Sequence, residues 1–305
     1  MALKNPAPLI AVTGGAGFIG SHLVDALVAR GFRVRLIDNL TTGRREWLNP
    51  LAELVERDIR ENLNHVFDGV DCIFHTAAMP RVMLSIERPV ETHLVNVVGT
   101  LKVLVAAREA GVRRVIFSGS SSVYGDQSVL PMVESMTPNP LNPYALQKLV
   151  GEQYTRMFHR LFAMETLTLR YFNVYGPRMA SVGAYVTVIG AFIRQRLAGQ
   201  ALTIHGDGAQ TRDFTHVHDV VRANLAAMEC ALADGRAINI GRGASLSVNQ
   251  IAALIGGPVI KLPRRLGDPR ATLADISQAK QLLGWKPQID TEEGIREFGK
   301  LAGIQ

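Results

Sequence analysis

The chain is poor in cysteine, with 2 in 305 residues, Cys72 and Cys230. Two thiols cannot build a disulfide framework or a zinc site. Both read as small hydrophobes, Cys72 in a strand and Cys230 on a helix, which fits a reducing cytoplasm. Aromatic residues make up only 6%, leaving no obvious platform for stacking nucleic-acid bases. Dense Lys/Arg blocks are also missing. The net charge of +6 and sequence pI of about 9.5 therefore point to small polyanions, such as dinucleotides or nucleotide-sugars, rather than to nucleic acid. No apolar run reaches the roughly 18 residues a membrane span needs. Met1 to Pro8 has no signal-peptide core, and no internal repeat or flexible linker is visible. What remains is 47% hydrophobic and 20% charged, enough for a large core in one or two domains.

The organising stretch is Val12-Thr13-Gly14-Gly15-Ala16-Gly17-Phe18-Ile19-Gly20-Ser21-His22-Leu23. The apolar run Leu9 to Val12 reads as a buried parallel strand, and a helix starts near Phe18, with Phe18, Ile19, Leu23, Ala26 and Leu27 on one face. Gly14 and Gly17 let the backbone approach a pyrophosphate, Gly20 lets helix and strand pack closely, and the helix N-terminus supplies oriented N–H groups. A second β-run, Arg33 to Ile37, ends at Asp38. An acid there takes both ribose hydroxyls and repels a 2′-phosphate, which favours NAD over NADP. Arg44 and Arg45 follow and point the other way.

Strand and helix signals alternate through the first half, which predicts an α/β fold with a doubly wound parallel sheet. Further strands are expected at Glu53–Arg57, Asp71–His75, Arg113–Phe117 and Thr166–Tyr171. A long helix from about Pro89 to Ala110 carries Asn96, and another from Tyr144 to about Leu161 is capped by Asn142-Pro143. After Asn173 the pattern shifts: a loop to Gly183, a helix Tyr185–Leu197, a short strand Leu202–Ile204, a helix Asp219–Leu232, a strand Ala237–Ile240, and a helix Val248–Leu254 capped by Ser247. Two short helices lie in otherwise irregular chain from Leu266 to Gln305. The division expected is a Rossmann-like unit at 1–173 with 214–241, and a smaller α/β lobe at 174–213 with 242–305.

Tyr144-Ala145-Leu146-Gln147-Lys148 sets a phenol and an ammonium one helical turn apart on one face. A nearby Lys favours tyrosinate and lowers the phenol pKa from about 10, giving a general base suited to a sugar hydroxyl. A surface Tyr–Lys pair satisfies the same spacing. Ser120, however, ends the preceding strand. In a doubly wound sheet, strand carboxyl ends line the ligand crevice, so a hydroxyl there meets the oxygen whose proton Tyr144 removes. His216 and His218 have no evident third ligand, and no metal site is expected.

These motifs together resemble the extended short-chain dehydrogenases/reductases, in particular the NAD-dependent nucleotide-sugar epimerases of the UDP-glucose and UDP-GlcNAc type. The likeness covers nearly the whole chain: T-G-G-A-G-F-I-G-S-H from Thr13, D-N-L at Asp38, D-I-R at Asp58, H-T-A-A at His75, N-V-V-G-T at Asn96, S-S-S-V-Y-G to Gly125, P-Y-A-L-Q-K at Pro143, R-Y-F-N-V-Y-G-P at Arg170, G-D-G-A-Q-T-R-D-F-T-H-V-H-D from Gly206 and R-L-G-D from Arg265. It implies Tyr144 as acid/base, Lys148 as its electrostatic partner and a ribose ligand, and Ser120 at the sugar oxygen. Gly14, Gly17, Phe18 and Ile19 would hold the pyrophosphate, Asp38 and Asn39 the adenosine ribose, and Asp58 and Ile59 the adenine. Ala77, Ala78, Asn96 and Tyr171 would line the rest of NAD. Asn173, Val188, His205, Arg212, Arg265 and Asp268 would hold the UDP-sugar, two arginines clamping its diphosphate. A homodimer is implied as well.

Departures narrow the chemistry. Related dehydratases and decarboxylases carry an acid at the positions of Ser121 and Ser122, and its absence favours redox epimerisation at C4. Thr272 stands at the position of the sugar-pocket gate, small enough to admit an N-acetyl group. His205 occupies a place where an aromatic ring often stacks on uracil, so the base stays open. Arg81 could take a carboxylate, which keeps UDP-glucuronate in view. A dehydratase or ketoreductase, or a non-catalytic NAD-sensing protein, remain the alternatives.

Overall fold

Buried β-runs alternating with amphipathic helices build the architecture, and the computed structural model describes residues 7–179, 187–264 and 269–304. The first half runs β1 (Leu9–Thr13), α1 (Phe18–Ala29), β2 (Arg33–Asp38), β3 (Glu53–Glu56), β4 (Val70–His75), α2 (Val82–Glu87), α3 (Pro89–His93), α4 (Thr100–Glu109), β5 (Arg114–Ser120), α5 (Pro143–Phe162) and β6 (Glu165–Tyr171). The second half continues with β7 (Val174–Tyr175), α6 (Val188–Leu197), β8 (Leu202–His205), β9 (Thr211–Asp213), β10 (Thr215–His216), α7 (Val217–Glu229), β11 (Asp234–Ile240), β12 (Ser245–Ser247), α8 (Val248–Ile255), β13 (Val259–Leu262), α9 (Ser277–Leu283) and α10 (Thr291–Leu301).

Seven strands form one sheet in the order β11-β6-β5-β4-β1-β2-β3, and every pairing in it is parallel. Successive side chains of a strand face opposite ways. Ile10 and Val12 accordingly join one core with Leu23, Leu27 and Val220, while Leu9 and Ala11 join another with Val103, Leu104 and Phe158. Strand order reverses between β1 and β4, so a crevice opens at their carboxyl ends. A third core gathers Tyr175, Ile189, Phe192, Leu202, Ile204, Ile251 and Ile295 in a smaller unit. Ala274, Ile276, Ala279 and Trp285 pack in the core of the large sheet instead, so the tail does not belong wholly to that smaller unit.

The helix expected over 89–110 is continuous, but its middle, Leu94–Gly99, is a π-helical turn between α3 and α4. A Cβ on Gly99 would lie 2.6 Å from Ile59 Cδ1, so this turn packs tightly over the loop after β3. The span Pro89–Glu109 has the length and composition to cross a membrane, yet it is half buried in the protein. Elements the periodicity missed are short: α2, β7 (inside the stretch read as loop), β9, β10, β12 and β13. The helix expected from Tyr185 is seen from Val188; Tyr185 lies outside the described residues.

Candidate active site

The glycine turn after β1 closes on itself, Gly17 N–H donating to Gly14 O at 3.0 Å. Gly14 has φ +70, and a Cβ there would sit 2.7 Å from Ala77 Cα, while one on Gly20 would run into the Gly14 carbonyl. A Cβ on Gly17 would meet only the Gly14 oxygen, at 3.1 Å, so it would fill a cradle rather than a packed wall. No side chain caps α1, which leaves its first-turn N–H groups to an anion. This arrangement fits a pyrophosphate, with Phe18 and Ile19 opening the helix.

Asp38, buried at the end of β2, accepts from Ala16 N at 3.0 Å and Leu40 N at 2.8 Å, and burial raises its pKa. Arg44 pairs with Glu46 and lies over Trp47, and Arg45 pairs with Glu56 at 2.6 Å. Both arginines thus have partners other than a 2′-phosphate. Asn39 donates to Asp58 at 2.7 Å. Arg60 grips Asp58 with two bonds of 2.9 and 2.8 Å, and these bonds bring the carboxyl down to about 2. Beside it opens a cavity of about 370 Å³ lined by Asp58, Arg60, Leu94, Val98 and Lys102.

Tyr144 lies in the first turn of α5, where Pro143 and the Asn142 cap start the helix. Its backbone N–H donates to Ser85 Oγ at 3.0 Å. Lys148 is buried, donates from Nζ to Ser118 O at 2.8 Å, and lies 4.9 Å over the Phe117 ring. Ser120, at the end of β5, accepts from Ser122 N at 3.2 Å and shares a 2.8 Å contact with the Ser122 hydroxyl. The Ser120 hydroxyl also lies close enough to the Tyr144 phenol to pull its pKa down. Ser120, Tyr144 and Lys148 therefore converge at the carboxyl end of β5.

One expectation is corrected. Burial pushes the Tyr144 phenol up to about 12, against the opposing pull of the Ser120 bond. One of the three Lys148 ammonium donors goes to the Ser118 carbonyl, and burial brings the group down to about 8. The lysine alone does not sharpen the tyrosine.

Two residues expected to touch a cofactor are occupied otherwise. Both amide protons of Asn96 are used, on Met79 O at 3.1 Å and Gln147 Oε1 at 2.8 Å, and its Oδ1 accepts from Met79 N at 2.7 Å. Asn96 thus fixes the loop holding Ala77 and Ala78. The Tyr171 hydroxyl donates to Asn224 at 2.9 Å and meets Ser118 at 3.2 Å, so only its backbone, paired with Ser120, faces the crevice side.

On the smaller unit, Asn173 Nδ2 donates to Asp213 O at 3.2 Å and to Thr272 Oγ1 at 3.4 Å, which places Thr272 beside β9 and Arg212. Asp213, buried, collects the N–H groups of Arg242, Gly243 and Ala274 at 2.6, 2.9 and 3.1 Å. Val188 starts α6, and His205 ends β8, where its Nδ1 lies 3.1 Å from Pro263 O. Arg265 and Asp268 lie outside the described residues. His22, His216 and His218 cluster with ring centroids 5.2 and 4.8 Å apart. Among the described residues no group of three His, Cys, Asp or Glu could hold a metal ion. Sequence reasoning assigned no role to Ser85, Gln147 or the buried set Thr13, His75 and Thr100, although the last three stand in the T-G-G-A, H-T-A-A and N-V-V-G-T motifs.

Residues 10–241 match the family described as NAD dependent epimerase/dehydratase. A putative UDP-glucose 4-epimerase of Methanocaldococcus jannaschii is 42% identical over 94% of this chain and 96% of its own. UDP-glucuronic acid decarboxylase 4 of Arabidopsis thaliana is 36% identical over 97% of this chain and 68% of its own. Among solved structures, the UDP-glucose 4-epimerase of Thermotoga maritima with UDP-glucose superposes with TM-score 0.92 at 38% identity, covering 96% and 97% of the two chains. The UDP-N-acetylglucosamine 4-epimerase of Methanobrevibacter ruminantium, in complex with UDP-N-acetylmuramic acid, gives 0.92 at 36%, over 97% and 98%. The UDP-glucose 4-epimerase of Thermus thermophilus in complex with NAD gives 0.90 at 30%, over 96% and 98%.

Proposed function

The chain belongs to the NAD dependent epimerase/dehydratase family, and from that premise we propose that it is an NAD-dependent UDP-sugar 4-epimerase working through a transient 4-keto sugar. The observation that carries the reading is the convergence of Tyr144, Ser120 and Lys148 at the end of β5, one sheet position from the crevice strands. When bound, NAD supplies the acceptor for the C4 hydride and returns it. Tyr144 Oη takes the 4-hydroxyl proton and gives it back to the ketone oxygen. Ser120 would bond that same oxygen, and Lys148 would hold a ribose hydroxyl and steady the phenolate with its remaining ammonium donors. Between the two transfers the 4-keto sugar would turn over in the pocket, so that the hydride returns to its other face and the net reaction is isomerisation.

The glycine turn, Asp38 and the uncapped α1 would hold the dinucleotide, with residues 1–173 and 214–241 as its domain. Residues 174–213 and 242–305 would hold the nucleotide-sugar, through Val188, His205, Arg212, Arg265 and Asp268, with Asn173 of the dinucleotide domain at their border. Serines at 121 and 122 supply no acid for elimination or decarboxylation, although a decarboxylase is among the relatives. Arg81, at the start of α2, keeps a glucuronate as the second substrate reading. Incubation with UDP-glucose, UDP-GlcNAc and UDP-glucuronate tests this: the expected product is a C4 stereoisomer of unchanged mass. Loss of water or carbon dioxide, or net consumption of NADH, contradicts it.

A homodimer is part of the proposal. Val90, Leu94, Val98, Leu101 and Val105 recur at helical spacing on α3–α4, and Leu146, Val150, Met157 and Leu161 on α5. Of these, Val90 and Leu161 are 72% and 65% exposed. Two apolar stripes on neighbouring helices suit a second copy of this chain. A cytoplasmic location agrees with two buried, unpaired thiols.

A further inference from the structure

Beneath the crevice, five hydrogen-bonding groups close a circuit. Thr100 Oγ1 lies 2.7 Å from Asn96 O and 2.9 Å from His75 Nε2. Its single proton goes to the carbonyl, so the imidazole must donate from Nε2. Nδ1 is then an acceptor, and the Thr13 hydroxyl donates to it at 2.7 Å. Thr13 Oγ1 in turn accepts from Ala77 N at 3.4 Å, and Thr76 Oγ1 donates to Thr13 O at 2.7 Å. At the other end Asn96 brackets both backbone groups of Met79. The chain from Ala77 to Met79 completes the ring.

We propose that Thr13, His75 and Thr100 are positioning residues for the dinucleotide, a closed hydrogen-bonded ring that locks the Thr76–Met79 loop against the Gly14 turn. The need for a lock is steric. Gly14 and Ala77 stand so close that a Cβ on Gly14 would be 2.7 Å from Ala77 Cα, so any drift of the loop distorts the turn that receives the pyrophosphate. All three side chains are buried, where an unmade hydrogen bond is expensive and cannot be replaced by water. The ring also requires an uncharged imidazole, since an imidazolium would turn Nδ1 into a donor, take away the acceptor of the Thr13 hydroxyl proton and face Lys148. Burial and that lysine hold His75 down to about 3, neutral at any working pH. Because Asn96 is itself held by Gln147 of α5, the ring also ties the turn to the helix that carries Tyr144.

The inference rests on the cofactor placement proposed above. Its test is the rate at which bound NAD exchanges with labelled NAD in the full-length holoenzyme. Thr100→Val keeps the shape and removes the hydroxyl, so exchange should quicken by about tenfold, with KM for the sugar nucleotide unchanged. Thr100→Ser should restore slow exchange. Thr13→Val should match Thr100→Val, and the double variant should be no worse than either, because a ring is opened once. Unchanged exchange in both valine variants, additive losses, or a serine variant as fast as valine each overturn the ring. Should Thr100→Val fail to fold, Thr13→Val against Thr13→Ser asks the same question from the opposite side. A wild-type chain that takes up no labelled NAD overturns the cofactor placement itself, and the ring's role with it.

Discussion

At the scale of single residues, the tyrosine is the least prepared part of the site when the protein stands alone. Its phenol is held up near 12 by burial, so most of the drive to ionise it must come from charge brought by the ligand beside Lys148. Tyr144→Phe should therefore lower kcat by about 10²–10⁴ while NAD stays bound. The near-ultraviolet titration of the phenolate should move to lower pH when NAD is added. The Y-x-x-x-K spacing made the pair legible in the sequence. It gave no sign that one of the lysine's three donors would go to the Ser118 carbonyl, because a backbone carbonyl leaves no mark on sequence.

The buried histidines make a second residue-scale prediction. His75 and His216 have folded pKa values brought down to about 3 and about 4 from 6.5. Below the unfolded value near 6.5 the unfolded chain takes up protons that the folded chain refuses, so stability falls as pH drops from about 6.5 toward 4. Above that range neither group contributes a slope. Thermal melts of His75→Gln should show a flatter acid limb than wild type over that window; an identical limb would place the acid sensitivity elsewhere.

At the scale of elements, α5 does two jobs with one sequence. Its crevice face carries Tyr144 and Lys148. One turn on, Glu152 forms a buried pair with Arg170 of β6 at 2.9 and 2.6 Å, and Arg170 also donates to Tyr124 at 2.7 Å. Tyr124 donates to Asn239 of β11 at 2.7 Å, so a helix, two strands and the turn after β5 share one charged network. Breaking such a pair leaves an uncompensated charge, and Glu152→Ala should cost about 3–5 kcal/mol of unfolding free energy. Denaturant unfolding measures this, with activity per folded molecule retained. The motif R-Y-F-N at Arg170 was visible, but its partner eighteen positions earlier was not singled out, since pairing across helix and strand depends on the fold.

Helix and strand periodicity located β1 to β6 and the long helices to within a few residues. Short strands such as β7, β9 and β12 escaped because two or three residues hold too little alternation to register. The π-helical turn also escaped: Asn96 and Gly99 read as ordinary helix positions until Thr100 is seen bonding back to Asn96 O. The segment after β4 gave no helix signal, yet Val82–Glu87 is helical and its Ser85 accepts from the Tyr144 backbone.

At the scale of the whole molecule, the doubly wound sheet supplies the crevice, while Asn173, β9 and Thr272 are held together at the smaller unit. The apolar stripes on α3–α4 and α5 predict self-association: the wild type should sediment as a dimer, and Val90→Glu combined with Leu161→Arg should sediment as a monomer. A monomeric wild type would remove the second copy from the account.

The central claim is that a proton leaves the sugar's 4-hydroxyl and a hydride leaves C4, and that both come back inside one closed site. UDP-glucose carrying deuterium at C4 tests this most directly, by following the label by mass and by nuclear magnetic resonance. The account predicts UDP-galactose with the deuterium still on C4 and no label in the solvent. Deuterium washed into water, or a product lighter by water, would contradict it.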